Sequence, residues 1–144
     1  MNAEHKSPRT FGLWLLGAMF AFSALIGILR VEQTVRLADF LREIAPDINL
    51  PWLLISGALA GLCGLVGLVI SQLRKPWAPQ AVFILAGALS LLFWLDQLLF
   101  IADYSLLQRL WGFYLFSNTL VLGVVVWILT RKRVRRFYQG EPQT

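Results

Sequence analysis

The chain has 144 residues, of which 58% are hydrophobic and only 15% are charged. A soluble globular domain carries about 25% charged residues, so this composition is typical of a membrane protein and excludes a sizeable soluble domain. The net charge of +5 would also fit a nucleic-acid-binding protein, but five of the thirteen Lys and Arg residues fall in one short segment. A basic cluster directly after an apolar stretch indicates contact with anionic lipids rather than with nucleic acid. These residues are Arg131, Lys132, Arg133, Arg135 and Arg136.

Four apolar segments cover most of the chain, at residues 11–29, 51–72, 80–101 and 106–130. A hydrocarbon core of about 30 Å requires about 20 helical residues, and all four segments meet or nearly meet this length. We therefore predict an all-α, polytopic membrane protein. Residues 11–130 are expected to form a four-transmembrane-helix bundle, with an N-terminal tail at 1–10 and a basic C-terminal tail at 131–144.

The distribution of positive charge predicts the orientation. Both tails and the middle loop, which four spans place on one side, hold nine Lys and Arg, and the other side holds four. By the positive-inside rule both termini are cytoplasmic in the cell membrane. Cleavage of the first segment as a signal peptide before Ala24 is the alternative. A retained anchor is favoured, because the apolar run continues without a break through Leu29.

The longest connection, residues 30–50, contains a predicted amphipathic helix at about 31–45. Leu37, Phe40, Leu41 and Ile44 recur at helical spacing with charged residues between them, and Pro46 ends the pattern. We expect this helix to lie along the outer membrane interface, where a lid or a partner-docking role is the alternative.

The second span carries four glycines on a small-residue surface: Gly57, Gly61, Gly64 and Gly67. Small residues allow transmembrane helices to approach closely, since apolar side chains gain nothing over lipid by burial. The glycines predict either packing inside one bundle, which we favour, or a homo-oligomer interface.

Spans three and four are predicted to form a close antiparallel hairpin, with a capping box from Ser105 to Gln108 at the start of span four. Residues at equal depth then have numbers that sum to about 208, and their polar and aromatic side chains share one face of each helix. The pairs are Ser90 with Asn118, Trp94 with Tyr114, and Gln97 with Trp111. We predict a polar and aromatic seam with a Ser90–Asn118 hydrogen bond, and the alternative is that these polar groups face other helices separately.

Asp96 is the only charged residue well inside a span. Intramembrane acids often mark ion or substrate pathways, but Asp96 lies only about 9 Å of helix from the end of its span. Arg30 and Arg109 are its possible partners, although Arg30 lies at the expected end of span one and would have to fold back inward. A structural pair or a neutral, hydrogen-bonded acid is favoured over a titrating or ligand-binding site. The candidate intramembrane polar site consists of Ser90, Asp96, Gln97, Tyr114 and Asn118.

The sequence predicts no catalytic, cofactor-binding or metal site. Cys63 is the sole cysteine and His5 the sole histidine, which leaves no haem ligands inside the spans, no dithiol and no metal cluster. Small multidrug exporters with four spans need an acid in the middle of span one, and residues 11–29 have none. The leading prediction is a non-enzymatic accessory or interaction subunit that packs against a membrane-protein partner or itself. The alternative is a small oligomeric transporter or channel that uses Asp96, and a lipid-modifying enzyme is a distant third.

Overall fold

The computed structural model describes residues 11–44, 49–100 and 104–139, and all the regular structure in these ranges is helical. In chain order the helices are α1 Phe11–Arg36, α2 Ala38–Ile44, α3 Leu50–Gln72, α4 Ala78–Phe100, α5 Tyr104–Thr130 and α6 Lys132–Gln139. Four of them, α1, α3, α4 and α5, are long and apolar enough to cross a membrane. The predicted all-α class and the four apolar helices are therefore confirmed.

The first helix is longer than the sequence predicted. The apolar stretch ends at Leu29, but α1 continues to Arg36, and a 2.8 Å ion pair between Glu32 and Arg36 supports its last turn. The amphipathic helix expected at 31–45 is thus divided, because residues 31–36 belong to α1. Its remainder is the short helix α2, which has no buried residue and exposes Phe40 and Ile44. Pro46 lies outside the described residues.

Helices α1 and α3 pack with their backbones in contact. A Cβ atom on Gly27 would overlap the backbone of α3 at Gly61, and one on Gly64 would overlap the backbone of α1 at Ala24. Gly67 lies against the ring of Phe20. The glycine surface of α3 is therefore covered by α1 of the same chain.

The start of α3 has a defined cap. The side chain of Asn49 accepts a 3.1 Å hydrogen bond from the backbone N–H of Trp52, and Pro51 occupies the first turn, where its missing N–H costs no hydrogen bond. This cap fixes the position of Trp52 at the end of the molecule that carries α2, which we call the α2 end.

The apolar core lies at the opposite end, which we call the α6 end, where α1, α4, α5 and α6 meet. The sequence predicted residues 131–144 only as a basic tail, but α6 packs back onto the spans and buries Val134, Phe137 and Tyr138. The Tyr138 hydroxyl donates a 3.1 Å hydrogen bond to the backbone oxygen of Ser71. Burial raises the pKa of Tyr138 to about 12. Residues 140–144 lie outside the described part of the chain.

Candidate functional site

Asp96 lies in the last turns of α4, and both of its carboxylate oxygens have partners. Arg30 forms an ion pair with Oδ2 through Nη1, and the indole Nε1 of Trp52 donates a 2.9 Å hydrogen bond to Oδ1. The side chains of Arg30 and Asp96 are only 26% and 16% exposed. The cluster of Arg30, Trp52 and Asp96, hereafter the Asp96 cluster, joins α1, α3 and α4 at the α2 end.

The length of α1 explains how Arg30 reaches Asp96. Since the helix continues to Arg36, Arg30 is an interior helical residue and does not need to fold back. Its backbone oxygen accepts a 2.7 Å hydrogen bond from the hydroxyl of Thr34, which is buried. Of the two arginines expected as partners, Arg30 is the one found, and the side chain of Arg109 lies outside those described.

Trp52 is a member of the cluster that the sequence reasoning missed as a partner of Asp96. Trp52, Arg30 and Asp96 all lie near the ends of spans that meet on one side of the bundle. Matching residues of α1, α3 and α4 by depth, as was done for α4 and α5, would therefore have identified Trp52 as a partner of Asp96. An indole N–H is a donor only, so it suits a carboxylate oxygen.

Both carboxylate oxygens of Asp96 are occupied by partners within the protein. A carboxylate in the middle of a span costs about 2.5–3.5 kcal/mol on insertion scales, and a cation and a donor at hydrogen-bond distance offset that cost. Among residues 11–44, 49–100 and 104–139, no group of three His, Cys, Asp or Glu residues is placed to hold a metal ion. The cluster can therefore lock helices together with the groups it already contains.

The predicted hydrogen bond between the third and fourth spans is present. Asn118 Nδ2 donates to Ser90 Oγ over 2.7 Å, so the register deduced from the sequence holds at this depth.

The aromatic pairs differ from those that were predicted. Trp94 contacts Trp111 edge to face at 6.2 Å between ring centroids, whereas Trp94 was paired with Tyr114 and Trp111 with Gln97. Tyr114 instead contacts Phe93 at 5.9 Å. Matching residues by depth predicts the positions of Cα atoms, but the indole of a tryptophan extends well beyond its own Cα and can contact a residue at another depth. Phe93 was missed because it is apolar and the prediction considered polar and tryptophan or tyrosine side chains.

The five residues of the predicted polar site do not form one site. Asp96 contacts α1 and α3, while Ser90 and Asn118 join α4 to α5. Positions 90 and 96 lie about 120° apart around α4, which explains the two separate directions. Gln97 is half-buried beside the Asp96 cluster, and Tyr114 belongs to the aromatic contacts.

A cavity of about 360 Å³ lies between the four long helices. Its walls are apolar, from residues such as Leu16, Phe20 and Val125, and its few polar side chains are Ser23, Ser90, Ser117 and Asn118. The Ser90–Asn118 hydrogen bond therefore borders an apolar space, where it supplies polarity without charge.

Three glycines on α4 and α5 differ from those on α3. A Cβ atom at Gly87, Gly112 or Gly123 would meet nothing within 4 Å. On α3 the glycines have a helix against them, but on the outer faces of α4 and α5 the space beside these glycines is open.

The five basic residues after α5 are all exposed at the α6 end. Arg131 stacks on Trp127, with its guanidinium carbon 3.7 Å from the ring centroid, and Arg74 lies 5.0 Å from the ring of Phe137. Cation–π contacts of this kind hold the guanidinium groups against the end of the helices.

Comparison of the chain with the models of known protein families, with curated proteins and with solved structures finds no match.

Proposed function

We propose that this protein is a multi-pass membrane protein with a four-helix bundle and both termini in the cytoplasm, and that it acts as a non-enzymatic interaction subunit. Its outer α5 face packs against a transmembrane helix of a partner or of a second copy. The observation that carries the proposal is the open glycine face of α5.

This face is built from small residues at helical spacing. Gly112, Thr119 and Gly123 lie within about 40° of one another around α5, and Thr119 with Gly123 makes a small-x-x-x-small pair. Thr119 is exposed. The same device brings α1 and α3 into backbone contact within the chain, which supports its use between chains on α5.

The Asp96 cluster supports a structural rather than a transporting role. A transport site must exchange its ligand or proton, whereas both oxygens of Asp96 are already held by Arg30 and Trp52. The small transporter or channel remains the alternative. It requires that Asp96→Asn abolish a proton- or cation-dependent flux in proteoliposomes.

The interaction is tested by a larger side chain on the open glycine face of α5. Gly123→Leu adds bulk to the open space beside Thr119, where a Cβ at position 123 would meet nothing within 4 Å. Leu120→Phe is the matched control, since it adds bulk at an exposed position about 60° from Gly123 and about 100° from Thr119 on the same helix. Each variant is extracted in mild detergent, its mass in the complex is measured by light scattering, and co-purifying chains are quantified by mass spectrometry.

We expect the wild type and Leu120→Phe to retain the same partner or the same dimer, and Gly123→Leu to lose it. A wild-type chain that reproducibly purifies as a lone monomer contradicts the proposal. So does a partner that Gly123→Leu retains in full.

A further inference from the structure

A second groove lies at the α6 end, between the start of α4, the end of α5 and α6. Its volume is about 650 Å³. The wall toward the membrane interior is apolar and consists of Phe83, Ile84, Val126 and Leu129. The rim away from the interior is polar, with Gln80, Arg135 and Gln139. One groove thus joins an apolar wall to a cationic, hydrogen-bonding rim.

The polar rim is unused within the protein. Gln80, Arg135 and Gln139 are exposed, and none of their side chains makes a hydrogen bond or ion pair with another residue in the described ranges. They provide amide donors and a guanidinium fork that has no carboxylate. A guanidinium group binds phosphate oxygens in a bidentate manner, so an anion with several oxygens is the ligand that this rim fits.

The packing of α6 directs Arg135 into the groove. Val134 and Tyr138 are buried on the face of α6 that contacts the spans, and Tyr138 itself lines the groove. Arg135 lies about 60° from Tyr138 around the helix, whereas Arg133 lies about 140° from it on the far side. Only Arg135 among the five clustered basic residues lines the groove.

We propose that this groove is a binding site for one anionic phospholipid, with the phosphate on Arg135 and the acyl chains along Phe83, Ile84 and Val126. A free phosphate would leave the apolar wall uncovered, and a neutral lipid would leave the guanidinium without a counter-ion. Basic pockets between membrane helices at the bilayer surface bind anionic headgroups on the same principle. The site depends on the four helices crossing a bilayer and is independent of the proposed interaction through α5.

The experiment measures lipid retained by the protein after extraction. The full chain is reconstituted in bilayers of phosphatidylglycerol and phosphatidylcholine with identical acyl chains, extracted in mild detergent, and examined by native mass spectrometry. Arg135→Gln is compared with Arg133→Gln, which removes the same charge from the same helix outside the groove. Val126→Trp, at a position 41% exposed, fills the apolar wall.

We expect one phosphatidylglycerol per chain in the wild type and in Arg133→Gln. Arg135→Gln should lower its retention about tenfold, the effect of losing one charge-assisted partner. Val126→Trp should displace the lipid while the melting temperature stays unchanged.

Three outcomes overturn the proposal. Equal retention of the two lipids would show an apolar groove without headgroup selection. An equal loss in Arg133→Gln would show a diffuse basic surface rather than a site. Displacement of the lipid by inorganic phosphate alone would show that the rim binds phosphate and that the wall contributes nothing.

Discussion

Trp52 and Asp96 lie 44 residues apart in the chain, and a 2.9 Å hydrogen bond from the indole to the carboxylate joins the first turn of α3 to the last turns of α4. The same tryptophan donates its backbone N–H to the Asn49 cap. A helix cap and an intramembrane acid are thereby connected through one residue, and Arg30 completes the link to α1.

Replacing Arg30 alone should lower the free energy of unfolding more than replacing Arg30 and Asp96 together. In Arg30→Gln the carboxylate of Asp96 stays buried without its cation, and we expect a loss of about 2 kcal/mol, less than for a fully buried pair because both groups retain some exposure. The double variant Arg30→Gln/Asp96→Asn should recover most of it. Unfolding in detergent measures both. Arg36→Gln, which breaks an exposed pair with Glu32, is the control, with an expected change under about 0.5 kcal/mol. Additive effects in the double variant would contradict a coupled pair.

A methyl group at Gly64 should disrupt the contact between α1 and α3, whereas the same change at Gly87 should not. A Cβ at position 64 meets the backbone of Ala24, which cannot move aside as a side chain can. We expect Gly64→Ala to destabilise the protein by about 2 kcal/mol or more, and Gly87→Ala to be neutral or slightly stabilising. Thermal unfolding in one detergent compares the two. Similar melting temperatures for both variants would disprove the close backbone contact.

The register of α4 against α5 can be tested by cysteine cross-linking. In a Cys63→Ala background, Ser90→Cys with Asn118→Cys should form a disulfide on mild oxidation, because the two wild-type side chains meet between α4 and α5, with 2.7 Å between Asn118 Nδ2 and Ser90 Oγ. Ser90→Cys with Thr119→Cys should not, since position 119 points about 100° away. Mobility on a denaturing gel after cleavage between the two helices reports the result. A disulfide in the second pair alone would show that the register of α4 against α5 differs from the one described.

Alkaline pH should release α6. The pKa of Tyr138 is about 12 in the folded chain and about 10 when exposed, so the unfolded state loses its proton first. The stability that burial of the neutral phenol provides is complete below pH 10 and declines as the pH rises toward 12. The melting temperature of the wild type should therefore fall more steeply between about pH 10 and pH 12 than that of Tyr138→Phe. Parallel curves would exclude Tyr138 as the responsible group.

A reporter attached after Thr144 tests the proposed orientation. A fluorescent protein that matures only in the cytoplasm should be bright there, and alkaline phosphatase at the same position should be inactive, because the positive-inside rule predicts that the basic cluster keeps the α6 end in the cytoplasm. Replacing the basic residues of the segment 131–136 by neutral ones, one after another, should weaken this preference. Active phosphatase at Thr144 in the unaltered chain would reverse the orientation and leave the helix packing unaffected.

The sequence predicted the features that depend on composition and period. Long apolar runs fix the four helices, and the period of 3.6 residues placed Ser90 opposite Asn118. The sequence could not show where α1 ends, because residues 31–36 fit the amphipathic helix predicted at 31–45 as well as they fit the end of α1. Trp52 and Phe93 were missed as contacts, since partner choice depends on side-chain reach across helices that are distant in the chain.

The basic C-terminal segment was the least complete prediction. Its charges indicated a position at the membrane surface. Val134, Phe137 and Tyr138 are too few for their spacing alone to predict a helix that packs on the spans. Their burial depends on the apolar surface that α1, α4 and α5 present together, which no single segment encodes.

The order of the Asp96 cluster along the chain has a consequence for biogenesis. The guanidinium and the indole belong to helices that leave the ribosome before α4 does, and glycine contacts let those two helices associate as soon as both are in lipid. The acid then enters the bilayer beside a counter-ion that is already in place. We therefore expect α1 and α3 to aid the partition of α4 from the translocon into lipid, and α4 expressed alone to insert less efficiently than α4 that follows them.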